Sequence, residues 1–290
     1  MKKDLVSIRD LNKKEIEELF SLTARLKRDR PKHEKPLTGK VFALVFEKPS
    51  LRTRVTFEAG IFELGGSAIY LSPQDIGLGK RESVKDVAQN LSLWVSGIVA
   101  RVFAHQTIEE LAKYATIPVI NALSDYEHPC QALADLFTIY ERFGTFRNLK
   151  FVYIGDGNNV CRSLMLLAEI CELEMWVATP KGYEPHKKSK VLNDPVEAIK
   201  DADVVYTDVW ASMGQETEKE KRLKIFNPFQ LNKELMSYAK PGCLIMHCLP
   251  AHRGEEITAE VIDSPNSIVL EQAANRLHTQ KALMMQLTGQ

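Results

Sequence analysis

The 290 residues are long enough for two domains of ordinary size, each able to bury its own core, and 44% hydrophobic with 26% charged residues is a globular composition. Lys plus Arg (38) balances Asp plus Glu (38), so no global field points to nucleic acid or to a membrane surface, and neither is expected as a partner. Five scattered cysteines without a C-x-x-C pair (Cys130, Cys161, Cys171, Cys243 and Cys248), and residues 1–10 without a signal-type apolar core, argue for the cytoplasm over a disulfide-forming compartment.

Asn12 followed by Glu15 is a capping-box pattern, and Ile16, Leu19, Phe20, Leu22 and Leu26 then share one helical arc, which predicts an amphipathic helix. A basic stretch, 27–40, leads into the apolar run Val41, Phe42, Ala43, Leu44, Val45, Phe46, a buried strand closed by Lys48-Pro49. Val55, Ala59 and Phe62 recur at helical spacing until Gly65-Gly66. Ser50, Leu51, Arg52, Thr53 and Arg54 therefore occupy the first turn of a helix that follows a strand. Free backbone N–H groups, the positive end of the helix dipole, two hydroxyls and two guanidinium groups suit a phosphate there. The alternative is that Ser50 is a plain cap and the arginines lie on a solvated face. The Walker spacing is absent.

A strand is expected at 68–71, then a loop at 72–81 holding Gly77, Gly79, Lys80 and Arg81, which is either solvated or a lid or subunit contact. Val84, Val87, Leu91 and Trp94 predict the next helix. The run 98–103 has strand composition with Arg101 in its interior, and that charge requires a structural carboxylate or a bound anion. Thr107 and Glu110 are expected to open a helix, and 118–121 a strand. In Glu127-His128-Pro129-Cys130-Gln131, Pro129 suits the first helical position, which leaves His128 at the helix mouth and Gln131 one turn in. A capping or structural histidine is the plainer reading of His128 taken alone.

Phe143-Gly144 and Asn148 mark a boundary, after which a strand at 151–154 ends in Gly155-Asp156-Gly157-Asn158-Asn159-Val160. Val160 stands where a dinucleotide fingerprint needs its third glycine, so a turn in which Asn159 offers its amide to a substrate fits better than a nicotinamide site. Strands are expected at 175–178 and 204–208, with Asp208 at the carboxyl end where open parallel sheets carry ligand residues. The charged run 216–224 reads as a solvated loop or a closing lid. Leu244, Ile245 and Met246 form a strand that runs into His247-Cys248-Leu249-Pro250, whose compact spacing with His252 matches no usual zinc pattern; no metal site is expected. A strand at 267–270 precedes a last helix with Asn275-Arg276-Leu277-His278.

Four segments, in this order, resemble signatures of the aspartate/ornithine carbamoyltransferase family: Ser50-Leu51-Arg52-Thr53-Arg54, His128-Pro129-Cys130-Gln131, Asp208 with Ser212-Met213-Gly214, and His247-Cys248-Leu249-Pro250. The likeness spans nearly the whole chain. It implies an α/β fold of two domains, each a mainly parallel sheet flanked by helices, with the active site in the interdomain cleft. Residues 1–145, completed by a C-terminal helix at 272–290, would bind carbamoyl phosphate, and 146–271 would bind ornithine. The implied reaction is carbamoyl transfer from carbamoyl phosphate to the side-chain amine of L-ornithine, giving L-citrulline and phosphate, a step of arginine metabolism that needs no cofactor. A homotrimer is implied as well.

By the same resemblance, Ser50, Leu51, Arg52, Thr53 and Arg101 would hold the phosphate. Thr53, Arg101 and His128 would face the carbonyl oxygen, and Gln131, Leu249 and Arg276 would hold the carbamoyl end. Asn159, Asp208, Ser212 and Met213 would bind the amino-acid end of ornithine, with Cys248 near the reacting amine; Arg101, His128 and Cys248 would be catalytic. Two positions depart from the pattern: Leu51 stands where Thr is commoner, and Gly77 where some relatives carry a Gln that touches carbamoyl phosphate. Competing readings are another amine acceptor (aspartate, putrescine or N-acetylornithine), a non-catalytic binding protein on the same fold, and a dehydrogenase.

Overall fold

In the structure, a computed structural model that describes residues 4–30, 34–185, 190–211 and 218–289, the chain divides into two compact units, Met1–Phe137 with Ala274–Gln290, and Thr138–Ala273. The first unit opens on a turn of 3-10 helix, Ile8–Asp10, that no apolar period announces, followed by α1 (Lys13–Arg28). The capping box expected at Asn12 forms: its Oδ1 accepts from the Glu15 N–H at 3.0 Å, and Glu15 returns the bond to the Asn12 N–H at 2.9 Å.

β1 (Val41–Phe46), α2 (Leu51–Glu63), β2 (Ser67–Leu71), α3 (Pro73–Ile76), α4 (Val84–Trp94), β3 (Gly97–Arg101), α5 (His105–Tyr114), β4 (Val119–Leu123) and α6 (Pro129–Phe143) follow. The four strands pair parallel in the order β2-β1-β3-β4. β3 is buried along its whole length, as an inner strand covered on both faces must be. Each fully buried Ile, Val, Leu or Phe of this core contributes roughly 1.5–3 kcal/mol.

Three expectations are corrected here. Val55, Ala59 and Phe62 locate α2 but not its buried face, which is Thr53, Phe57, Gly60 and Ile61; Phe62 is 77% exposed, and on α4 Trp94 is 69% exposed. α5 begins at His105, ahead of Thr107, because Asp125, from a distant turn, accepts the His105 N–H at 2.8 Å and replaces a local cap. The 72–81 segment contains α3, stopped by Gly77 in the left-handed conformation at φ 58°, where its N–H bonds to the Pro73 carbonyl at 3.0 Å. A helix stop explains glycine at this position.

The second unit contains β5 (Lys150–Ile154), α7 (Asn159–Cys171), β6 (Glu174–Ala178), β7 (Val191–Leu192), α8 (Pro195–Ile199), β8 (Val204–Thr207), α9 (Lys219–Phe226), α10 (Lys233–Met236), β9 (Leu244–His247) and α11 (Ala259–Ile262). Its strands are parallel in the order β7-β6-β5-β8-β9. The strand expected at 267–270 shrinks to one bridge, Ser267 to Ile245, because α12 (Val269–Leu287) starts at once and carries the chain back to the first unit. Among the described residues no helix is long and apolar enough to cross a membrane.

Both sheets reverse their strand order once. In the first, the chain lays β2 on one side of β1 and then β3 on the other; in the second, β6 and β7 lie on one side of β5 and β8 and β9 on the other. A crevice opens at such a switch point, beyond the carboxyl ends of the two flanking strands.

Candidate active site

At the switch point of the first unit, Phe46 of β1 stands in register with Arg101 of β3. The chain leaving β1 is tied to β3 by the Glu47 N–H on the Arg101 carbonyl (2.8 Å) and by the Phe103 N–H on the Glu47 carboxylate (2.8 Å). Arg101 is the last residue of β3, not an interior one, at a register irregularity with β4 that turns the strand end, and its side chain is buried.

Beside it α2 begins. Ser50 caps the helix in an extended conformation, its hydroxyl accepting from the Thr53 N–H at 3.3 Å. The Leu51 side chain is exposed, so what this position presents at the helix mouth is its N–H, one of the first-turn donors without an intrahelical acceptor. Thr53 is buried and Arg52 half-buried. Arg54 turns away: its Nε pairs with Glu58 at 2.9 Å and the guanidinium lies 3.6 Å from the centre of the Tyr70 ring. One of the two arginines expected at the anion site is thus committed elsewhere.

Arg276, on α12, completes this half. Its buried guanidinium donates to the Gln131 side-chain oxygen and, at 3.3 Å, to Thr53 Oγ1. Gln131 in turn donates to Asp135 Oδ1 at 2.8 Å, which fixes the amide orientation. His128 immediately precedes α6, as Pro129 predicted. Burial first, and then the positive guanidinium groups of Arg276, Arg101 and Arg52, hold its imidazole well below the ordinary histidine range. The ring is neutral at pH 7, a single N–H donor and a single acceptor. The preceding Glu127 is clamped by the Ser7 hydroxyl (2.6 Å) and the Ile8 N–H (2.9 Å), so the N-terminal segment sets the loop that carries His128.

In the second unit, Ile154 of β5 stands opposite Thr207 of β8, and Thr207 opposite His247 of β9. The three strand ends deliver 155–160, Asp208 and 248–250 to one place. The buried Asp208 carboxylate accepts from Asn158 Nδ2 (2.8 Å) on one oxygen, and from the Val209 N–H (2.8 Å) and the Cys248 thiol (2.9 Å) on the other. Asn158, not Asn159, is the cap of α7 and the partner of Asp208; the Asn159 side chain accepts from the Val160 N–H at 2.9 Å. Tyr153, whose phenol is pushed well above its usual range by burial and then by Asp208, donates to Asn158 Oδ1 at 3.3 Å. Gly157 allows the turn to pass under 183–185, where a Cβ would lie 2.4 Å from the Pro185 nitrogen.

His247 is wholly structural. Its Nδ1 accepts the Leu249 N–H at 2.8 Å, so Nε2 carries the proton donated to the buried Glu256 at 2.9 Å, while its own N–H binds the Gln272 side chain at 3.0 Å. That set holds Leu249 at a left-handed φ of 59° and aims Cys248 at Asp208.

The charged run also differs from expectation. Lys219–Phe226 is helical, and Arg222 is buried with its Nη1 on Asp156 Oδ2 (2.8 Å) and on the Trp210 carbonyl (2.8 Å). Burial pushes Asp156 up, against the pull of Arg222. Ser212, Met213 and Gly214, with residues 216–217, lie outside the described residues.

The structure therefore groups Ser50, Leu51, Arg52, Thr53, Arg101, His128, Gln131 and Arg276 in the first unit, and Asp208, Cys248, Leu249 and Asn159 in the second. Asn158, Glu127 and the His247–Glu256 pair were missed by sequence reading. Only Asn158, a cap-type residue before a helical pattern, left a local signal.

The family model described as aspartate/ornithine carbamoyltransferase, carbamoyl-P binding domain, matches residues 3–141, and that of the Asp/Orn binding domain matches 147–287. The ornithine carbamoyltransferase of Thermococcus kodakarensis is 52% identical, across 99% of this chain and 96% of its own. Among solved structures, the ornithine carbamoyltransferase from Pyrococcus furiosus superposes with a TM-score of 0.95 at 51% identity, covering 99% of this chain and 97% of its own. That from Thermus thermophilus gives 0.93 at 48%, covering 99% of each.

Proposed function

This chain belongs to the aspartate/ornithine carbamoyltransferase family, and we propose that it transfers the carbamoyl group of carbamoyl phosphate to the side-chain amine of L-ornithine, giving L-citrulline and phosphate. Residues 1–145 with 272–290 bind the first substrate and 146–271 the second. The observation that carries the acceptor is the Asp208 carboxylate with the Cys248 thiol on it: it attracts the ammonium of an amino acid and repels the second carboxylate of aspartate.

In this reading the α2 mouth, with Ser50, the Leu51 N–H, Arg52, Thr53 and Arg101, holds the phosphate, and Gln131, Arg276 and Leu249 orient the carbamoyl group. Amine attack on the carbamoyl carbon builds negative charge on its oxygen. Arg101, Thr53 and the neutral His128 supply fixed donors to that oxygen, and phosphate leaves still bound to the helix mouth. Because His128 is neutral, it contributes a hydrogen bond and not a charge. Asn159, Asp208, Ser212 and Met213 hold the amino-acid end.

The attacking amine must first lose a proton, which at a lysine-like pKa near 10.4 costs roughly 4–5 kcal/mol at pH 7. Desolvation in the site lowers that cost, and Cys248 assists as hydrogen-bond partner or proton acceptor. A homotrimer in the cytoplasm accompanies the reading. Supporting the assembly are the exposed apolar side chains of α2 and α4, Leu51, Val55, Phe62, Leu93 and Trp94, all in the first unit. Light scattering of the purified protein at a trimer mass is the expected result.

The test is citrulline formation from carbamoyl phosphate and L-ornithine, run beside aspartate, putrescine and N-acetylornithine. Turnover with ornithine alone is expected. Turnover with another amine overturns the role given to Asp208, and none with any acceptor leaves a binding protein.

A further inference from the structure

Past β9, the chain brings three metal-ligand side chains together on the second unit, apart from the residues assigned to transfer. His252 Nδ1 lies 3.4 Å from Glu255 Oε2 and 4.0 Å from Glu256 Oε2, and the three residues each bring one ligand atom to within 4.8 Å of the other two. Glu255 Oε1 is taken by Lys219 Nζ at 2.8 Å, which leaves its second oxygen towards His252. Glu256 is fully buried. Its Oε1 accepts from His247 Nε2 (2.9 Å) and the His252 N–H (2.7 Å), but Oε2 has no hydrogen-bond partner among the described residues.

A buried carboxylate oxygen without a donor is costly, and a cation is the partner that removes the cost where no donor reaches. Zinc bonds to N and O of about 2.0–2.2 Å place tetrahedral ligands roughly 3.4 Å apart, which matches the separation of His252 from Glu255, while Glu256, at 4.0 Å, is reached by a small turn of the half-exposed imidazole. Imidazole with carboxylates also suits zinc better than magnesium or calcium, which take oxygen alone.

We propose that His252, Glu255 and Glu256 form a divalent transition-metal site of zinc type, its remaining position filled by water. The ion takes no part in transfer. Through Glu256 it braces His247, whose Nδ1 holds the Leu249 N–H, so it tightens the 247–250 turn from behind.

Chelator-treated full-length protein is titrated with Co²⁺ and Zn²⁺, with calorimetry, the visible cobalt spectrum and Tm as readouts. His252→Ala, Glu255→Gln and Cys248→Ser are run in parallel. The His252 and Glu255 side chains are partly exposed, so their variants are expected to fold and to keep citrulline formation in metal-free buffer. Expected is a single bound ion whose cobalt spectrum lacks a thiolate charge-transfer band, a Tm raised by Zn²⁺, and both effects kept in Cys248→Ser. His252→Ala and Glu255→Gln weaken binding by at least the roughly tenfold to hundredfold that even outer partners of a metal are worth. Absence of binding overturns the site. So does a thiolate band lost in Cys248→Ser while His252→Ala binds as before, because the ion then sits on Cys248 and Asp208.

Discussion

The two switch points share an architecture and carry opposite charge. In the first unit the side chains at the switch point are Arg101, Arg52 and the incoming Arg276, gathered at a helix mouth; in the second the free charge is the buried Asp208 carboxylate, held by an amide, a backbone N–H and a thiol, while the neighbouring Asp156 is paired with Arg222. A parallel sheet supplies the crevice in both cases, and a handful of residues just past its strands decides whether the crevice takes an anion or an amine. The halves also differ in reach. The second draws its groups from adjacent strand ends, whereas the first depends on Arg276, which comes from the far end of the chain.

If the halves divide the substrates in this way, variants should separate them. The largest effect is expected for Asp208→Asn, which keeps shape and removes the charge: kcat/KM for ornithine should fall by about 3 kcal/mol or more, beyond a hundredfold, with the KM for carbamoyl phosphate little changed. An equal loss of carbamoyl phosphate affinity would break the division. Arg101→Met should lower kcat about 10²–10³-fold, as removal of an oxyanion donor does, and weaken phosphate binding by calorimetry, whereas Asp208→Asn binds phosphate like the parent. Cys248→Ser should cost roughly tenfold in turnover, the worth of one hydrogen bond to a charged group, and move its pH dependence; an unchanged pH profile argues against the thiol as proton acceptor.

The last expected effect is on stability in acid and not on catalysis. His128 and His278, both in the first unit, are held below their usual range chiefly by burial, His278 to about 4. An unfolded histidine titrates near 6.5, so below that pH the unfolded chain binds protons that the folded chain does not. Stability from both groups is complete above about pH 6.5 and falls as pH drops, by at most about 1.4 kcal/mol per pH unit for each. Urea midpoints at pH 7 and pH 5 should show the loss, and His278→Gln should reduce it.

Local pattern was enough for the alternation of strands and helices, the Asn12 capping box, the strand-to-helix junction at Ser50 and the helix start at Pro129, because each depends on residues within a few positions of one another. The four short signatures were legible for the same reason, and with them the family and its reaction. Which face of α2 is buried was not: Val55, Ala59 and Phe62 have the correct period, but the face is chosen by what packs on it, and α12 approaches at Gly60, where a Cβ would lie 3.1 Å from Lys281 Cγ. Likewise Asp125 capping α5, Glu127 clamped by Ser7, Asn158 taking Asp208, and His247 closed between Leu249 and Glu256 were set by tertiary placement. Strand order decided the most: 46 and 101, or 154, 207 and 247, are distant in sequence, and parallel pairing alone makes them neighbours. Periodicity records what each residue prefers for its own backbone and side chain; sheet register, which is a property of the whole chain, determines which of those residues meet.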